Sequence, residues 1–199
     1  DEIVVVDSFS NDRTQEIAES YGAIFIQHAF EGHIEQKNWA LTQATHDIVL
    51  SLDADEEVTP ELKRSLLHAK ENWSADGYYF NRLTNYCGAW IRHCEWYPDQ
   101  KLRLWDRRKG KWGGENPHDR FELQAGCTQQ HLAGDLLHYS FYTVDQHIAQ
   151  INKFSSIAAK ARFARGRRPS VLQLLLNPLW KFVRSYLIRG GFRDGYYGF

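Results

Sequence analysis

Short apolar runs alternate with stretches of helical period along the first third of the chain, and that alternation leaves few folds open. Ile3-Val4-Val5-Val6 is a continuous β-branched run, the mark of a strand covered on both faces. The polar loop Asp7 to Asp12, rich in helix-capping residue types, precedes a helix that reaches about Tyr21 and stops at Gly22. Ala23 to Gln27 reads as a second strand, and Ile34 to Ala44 as a helix with Trp39, Ala40 and Ala44 inward. Ile48 to Leu52 is a third strand, followed by a helix from Pro60 to about Trp73. Strand–helix alternation of this kind implies a parallel sheet flanked by helices.

Beyond residue 76 the pattern changes. Gly77 to Phe80 and Lys101 to Trp105 read as strands, Asp106 to Gly114 as a turn, Trp112 to Asp119 as an irregular loop, and Leu136 to Tyr139 as a short strand. Thr143-Val144-Asp145-Gln146 and Ser170-Val171-Leu172-Gln173 are capping boxes, each opening a helix. The first carries Ile148, Ile151, Phe154, Ala158 and Ala161 on one stripe and breaks at Gly166 to Pro169. The second carries Leu172, Leu175, Leu176, Leu179, Trp180, Val183 and Leu187, with Pro178 expected to kink it. The predicted organisation is an α/β domain over 1–142 and a helical extension over 143–199.

With 43% hydrophobic and 25% charged residues, 199 residues suffice to bury a core, which excludes a disordered chain. No apolar run is long enough to span a bilayer, since the one from Val171 to Leu176 is interrupted by Gln173 and ended by Asn177-Pro178. A signal peptide is not expected, because a strand begins almost at residue 1. The sequence contains no Met, so it is expected to lack its natural N-terminus. Charge is divided unevenly. Residues 146–199 hold ten Lys or Arg and the single acid Asp194, a net of +9, which leaves −10 for residues 1–145 of a chain whose total is −1. Phosphate, nucleic acid and an anionic membrane surface all match such a tail; the membrane surface is the expected partner and nucleic acid is not. Cys87, Cys94 and Cys127 form no Cys-x-x-Cys pair and suit free thiols in a reducing compartment. A zinc site from them with His131 lacks the tight ligand pairs that structural zinc uses.

Asp53-Ala54-Asp55 ends the third strand, with Glu56 and Glu57 next. Two carboxylates one residue apart at a strand's carboxyl end make a hard-oxygen site for Mg²⁺ or Mn²⁺. Ligands of open parallel sheets collect at that end. The bland alternative is an acidic turn before the helix that Thr59-Pro60-Glu61 starts. His138 reads as a third metal ligand, a diphosphate contact, or a buried hydrogen-bonded histidine. Lys37 reads as a phosphate partner or a solvated lysine.

Three signals follow in one order: Asp7-Ser8-Phe9-Ser10-Asn11-Asp12-Arg13-Thr14, then Gln36-Lys37-Asn38-Trp39-Ala40, then Leu52-Asp53-Ala54-Asp55-Glu56. Together they resemble family 2 glycosyltransferases, inverting enzymes with an A-type, Rossmann-like fold. Arg103-Leu104-Trp105, Pro117-His118-Asp119, Leu137-His138-Tyr139-Ser140-Phe141 and Phe192-Arg193-Asp194-Gly195-Tyr196-Tyr197-Gly198-Phe199 extend the match over nearly the whole chain. The set is most similar to the branch that adds β-1,4-linked glucose to the inner core of bacterial lipopolysaccharide.

The resemblance implies an A-type α/β fold with a mostly parallel sheet and a C-terminal helical extension. It implies a UDP-sugar donor, UDP-glucose in that branch, a divalent cation, and a glycan or glycolipid acceptor met at the cytoplasmic face of the inner membrane. By position, Asp7 and Ser8 would bind uracil and ribose, Gln36, Lys37 and Asp53 would face the donor, and Asp55 would hold the metal on the diphosphate. Asp119 would be the catalytic base. The family's opening strand, ending near Thr-x-Asn-Glu, has no match here, and Ser8-Phe9 stand where Asp-Gly is common. Without that strand, residues 1–199 alone are expected to be poorly stable or inactive.

Glycosyl transfer from a nucleoside diphosphate sugar needs a cation on the leaving diphosphate and a base for the acceptor hydroxyl, held in line across the anomeric carbon. Glu115 and Glu122 compete with Asp119 for the second role, and a surface acid paired with Arg120 or Arg103 is the bland alternative for Asp119. Trp90, Trp96 and Trp112, with Arg103, are the expected acceptor-side contacts, because flat apolar rings match pyranose faces. Two other classes share part of this pattern. A haloacid-dehalogenase-type phosphohydrolase also places Asp-x-Asp after a strand, but it needs a later lysine and a further acidic pair, and only scattered acids such as Asp135 follow Glu57. A non-catalytic anionic-surface binder explains the basic tail but not Asp7, Lys37 and Asp55 on successive strand–helix units.

Overall fold

The computed structural model describes every residue except Asn116, Pro117, Arg167 and Pro169, and gives the backbone alone of Glu115, His118 and Ala161. In chain order the elements are β1 (Val4–Asp7), α1 (Thr14–Ser20), β2 (Ile24–Gln27), α2 (His33–Gln43), β3 (Ile48–Leu50), β4 (Glu56–Val58) and α3 (Pro60–Glu71). There follow β5 (Gly77–Tyr86), β6 (Ala89–Ile91), β7 (Asp99–Asp106), β8 (Gly110–Glu115), β9 (His118–Leu123) and β10 (Gln129–Phe141). Two helices close the chain, α4 (Val144–Ala164) and α5 (Val171–Phe182), the latter continued by a π-helical turn at Val183–Ile188 and 3₁₀ turns at Gly191–Gly198.

Hydrogen-bonded neighbours in the largest sheet run β3-β7-β5-β10-β4, with β6 added to β5. The sheet is mixed. β3 pairs antiparallel with β7 and β4 antiparallel with β10. β5 and β10 run the same way, since the Gly77 N–H donates to the Thr128 carbonyl near one end and the Cys87 N–H to that of Phe141 near the other. β7 runs antiparallel to β5, since the Asp106 N–H donates to the Asp76 carbonyl near one end and Arg82 meets Asp99 nearer the other. β1 and β2 form a separate parallel pair, Val4 opposite Ile24 and Asp7 opposite Gln27. Ile3, Ile24, Ile48, Leu50 and Leu52 are exposed.

The chain divides into two compact units: Asp1–Leu52 with His68–Phe80 and Lys101–Leu132, and Asp53–Leu67 with Asn81–Gln100 and Ala133–Phe199. The core of the first is aromatic. Trp105 is fully buried, stacks on Phe121 with ring centroids 4.0 Å apart, and meets Trp112 edge-on. Ile34, Leu41, Leu102 and Leu123 close around these rings. The second unit buries Leu62, Leu83, Ile91, Leu136 and Phe141.

Several elements differ from the expected pattern. β4 is three residues with two acids, too short and polar to show a period. The segment read as a turn and an irregular loop is the β8-β9 hairpin, with Gly114 opposite Asp119. Gly110 permits the closeness, since a Cβ there would lie 2.5 Å from the Glu122 carbonyl oxygen. The short strand expected at 136–139 is part of a longer one, β10. Both capping boxes form, at Thr143 with Gln146 and at Ser170 with Gln173. No helix of the described residues is long and apolar enough to cross a membrane.

Candidate active site

In the first unit the polar groups gather around α2. Asp7, at the end of β1, accepts hydrogen bonds from the backbone N–H and the hydroxyl of Ser10, at 2.8 and 2.5 Å. The Ser10 hydroxyl, helped by backbone N–H groups, outweighs burial and holds the Asp7 carboxyl below its ordinary value, so it is an ionised acceptor. Gln36 ties the same loop down. Its amide donates to the Ser8 hydroxyl at 3.1 Å, and its carbonyl lies 2.9 Å from His28 Nδ1. His28 in turn stacks on Trp39.

One residue on, Lys37 Nζ meets Asp119 Oδ2 at 2.8 Å and lies 4.5 Å from the centroid of the Trp112 ring. Asn38 exchanges two hydrogen bonds with the Trp112 backbone, at 2.9 and 3.0 Å, and so fastens β8 to α2. Asp119 therefore stands on a hairpin strand rather than an irregular loop, its side chain only 13% exposed and held by a cation. Two other expectations need correcting. Trp112 is 4% exposed and belongs to the core, and Arg103 beside it is equally buried, so neither offers a face to an acceptor. They back the hairpin that carries Asp119. Glu122 pairs with Arg120 at 2.9 Å on the surface. The side chains of Glu115 and His118, like Pro117, lie outside the described residues.

In the second unit the strand-end acids form a braced turn. The Glu56 N–H donates to the Asp53 carbonyl at 3.1 Å, and the Asp53 N–H donates to Glu56 Oε2 at 2.9 Å. Register places His138 of β10 opposite Glu56 of β4. That brings His138 Nε2 to 3.1 Å from Asp55 Oδ2, while the Tyr139 N–H donates to the Asp55 carbonyl at 2.9 Å. Burial pushes the Asp55 carboxyl up, but the hydrogen bond and charge of His138 prevail and hold it below its ordinary value. Asp55 remains 46% exposed; His138 Nδ1 is buried and has no hydrogen-bond partner among the described residues.

This donor set fits a hard divalent cation bound partly by substrate. No group of three His, Cys, Asp or Glu among the described residues is arranged as a ready metal site. Mg²⁺ commonly takes one or two protein carboxylates and completes its shell with water and substrate phosphate, which Asp55 with Asp53 suits. The imidazole of His138 is a further ligand type that Mn²⁺ accepts. The three cysteines are free thiols.

Of the remaining aromatic candidates, Trp90 meets Tyr139 edge-on at 5.4 Å. Trp96 packs against Tyr86, Phe141 and His147 and lines a cavity of about 320 Å³ with Arg82, Thr84, Asp99, His138 and Ser140. Arg82 and Asp99 were missed from sequence, because their importance comes from strand register rather than from any local motif. Glu56 had a visible signal, its place directly after Asp-x-Asp.

Residues 1–132 match the family model described as glycosyl transferase family 2. The chain belongs to that family. The transferase is 29% identical over 209 residues to an uncharacterized glycosyltransferase of Rickettsia bellii, covering 100% of this chain and 71% of the relative. It is also 29% identical over 206 residues to a lipopolysaccharide core biosynthesis glycosyltransferase, LpsC, of Rhizobium meliloti, covering 100% and 76% respectively. Part of the transferase, 42% of its length, aligns with 27% of S. aureus TarS solved in complex with UDP, at 30% identity and a TM-score of 0.34, an overlap too small to bear on the ligand. Family membership sets aside the phosphohydrolase and the purely surface-binding module.

Proposed function

We propose that the transferase moves a sugar with inversion from a UDP-sugar, UDP-glucose in the first instance, to a lipopolysaccharide-core or other cell-envelope glycan acceptor. The observation that carries this reading is the ionised, half-exposed Asp55 carboxylate set beside His138, two residues after Asp53 in the turn before β4. The relative named for lipopolysaccharide core biosynthesis supports the acceptor class.

Asp55, with Asp53 and His138, would hold Mg²⁺ or Mn²⁺, which when bound neutralises charge on the leaving diphosphate. Asp7 and Ser8 are assigned to the nucleoside, with Gln36 keeping their loop in place. Lys37, expected to face the donor, is assigned instead to Asp119, which it meets at 2.8 Å. Asp119 takes the acceptor hydroxyl proton, and the Lys37 ammonium orients its carboxylate. Trp96, on its cavity wall, is the acceptor-side aromatic we retain, with Trp90 beside Tyr139.

The C-terminal helices suit a lipid-linked acceptor. Val171, Leu172, Leu175, Leu176, Leu179 and Trp180 of α5 are exposed, and cations far outnumber acids along residues 146–199. An exposed apolar helix with cations in the chain before and after it lies in the plane of an anionic bilayer surface. We place it at the cytoplasmic face of the inner membrane.

Calorimetry with UDP-glucose and Mn²⁺ tests the donor assignment. Joint binding, with each ligand tightening the other, is expected of the wild type and not of Asp55→Ala. Binding of UDP-glucose that ignores the cation in both proteins would refute it.

A further inference from the structure

We propose that Glu56 is a positioning residue whose buried carboxylate, clamped by Arg82, fixes the turn that presents Asp53 and Asp55. The inference rests on the reading that Asp55 holds a divalent cation. The burial of Glu56 and five contacts carry it. The Glu56 side chain is 0% exposed, although it is a carboxylate one residue from solvent-facing Asp55. Its Oε2 accepts the Asp53 backbone N–H, and its own N–H donates to the Asp53 carbonyl, so one residue closes the turn from both sides. Its Oε1 lies 3.4 Å from Arg82 Nη1. Arg82 is itself fixed by Asp99, through Nε at 3.0 Å and Nη2 at 2.8 Å.

A fully buried carboxylate is costly unless charge and hydrogen bonds compensate it, and an apolar residue would fill an inward strand position at lower cost. What the carboxylate adds is a fixed acceptor for the backbone of the metal turn. Register then completes the geometry, because Glu56 and His138 are paired across β4 and β10. The residue that closes the turn is thus the one opposite the histidine that meets Asp55. Groups that orient metal ligands commonly change metal affinity by about 10–100-fold when removed.

The test reads metal affinity rather than turnover. Free Mn²⁺ is followed by electron paramagnetic resonance during titration of the protein with UDP saturating, for the wild type, Glu56→Ala, Glu56→Gln and Arg82→Met. UDP affinity in chelator is measured alongside by calorimetry. Glu56→Ala is expected to weaken Mn²⁺ by about 10–100-fold and to leave metal-free UDP affinity unchanged. Glu56→Gln, which keeps an oxygen for the Asp53 N–H, should recover most of the loss, and Arg82→Met should fall between them. If Glu56→Ala does not fold, Arg82→Met and Glu56→Gln decide in the same assay. Unchanged Mn²⁺ affinity in the folded variants, or a Gln variant as weak as Ala, overturns the positioning role alone. A wild type that binds UDP and takes up no Mn²⁺ overturns the cation reading and the inference with it.

Discussion

At the residue scale, Asp119 and Lys37 are set 82 positions apart in sequence and 2.8 Å apart in space. Loss of a general base typically costs on the order of 10²–10⁴ in rate, so Asp119→Asn should lower turnover by that order and leave UDP-sugar affinity nearly unchanged. Glu122→Gln should keep wild-type turnover, since Glu122 is already paired with Arg120 at the surface. An inactive Glu122 variant beside an active Asp119 variant, in the same steady-state assay, would move the base to Glu122. The sequence showed the chemical types at Asp7, Gln36, Lys37, Asp55 and Asp119, because those positions sit at strand ends and on one helix. It did not show their partners. Asn38, Arg82 and Asp99 act through contacts that only pairing across strands and helix docking create, and Trp112 looked like a sugar platform because nothing local marks a tryptophan as core.

At the element scale, the strand–helix units at the N-terminus were legible because each carries a clear period and a clear stop. β4 and the β8-β9 hairpin were not, being short, polar or glycine-rich, and held by long-range pairing. Two changes test how these elements are held. Gly134 has a φ of +99°, and a Cβ there would lie 2.3 Å from the Leu62 backbone nitrogen at the start of α3. Strained backbone positions cost of order 1–3 kcal/mol, so Gly134→Ala should lose at least about that much in denaturant unfolding. Near-wild-type stability would mean that β10 and α3 can separate freely. Asp76, just before β5, is bound by Lys109 first and then by the backbone and hydroxyl of Thr128, which holds its carboxyl at about 2 against an ordinary 3.8. A depressed carboxyl stabilises the fold above the unfolded value and loses that effect as pH falls toward the folded one. Asp76→Asn should therefore melt below the wild type at pH 7, with the difference shrinking as pH drops from 3.8 towards 2. A gap that stays constant over that window would contradict the assignment.

At the scale of the whole molecule, fold class followed from alternation and family from an ordered set of motifs, whereas the mixed character of the sheet depended on strand directions that only long-range pairing reveals. The basic C-terminal helices predict co-sedimentation with anionic liposomes that falls as salt rises, because surface attraction is screened within about 10 Å at 0.1 M. Equal binding to neutral vesicles would contradict a charge-led contact. The central claim is cation-dependent transfer from a UDP-sugar through Asp55. Its most direct test is UDP release from UDP-glucose with a deacylated lipopolysaccharide core as acceptor, in Mn²⁺ or in chelator, for the wild type and Asp55→Ala. Release by the wild type in Mn²⁺, abolished by chelator and by Asp55→Ala, is the predicted result; full release in chelator, or from folded Asp55→Ala, would contradict it.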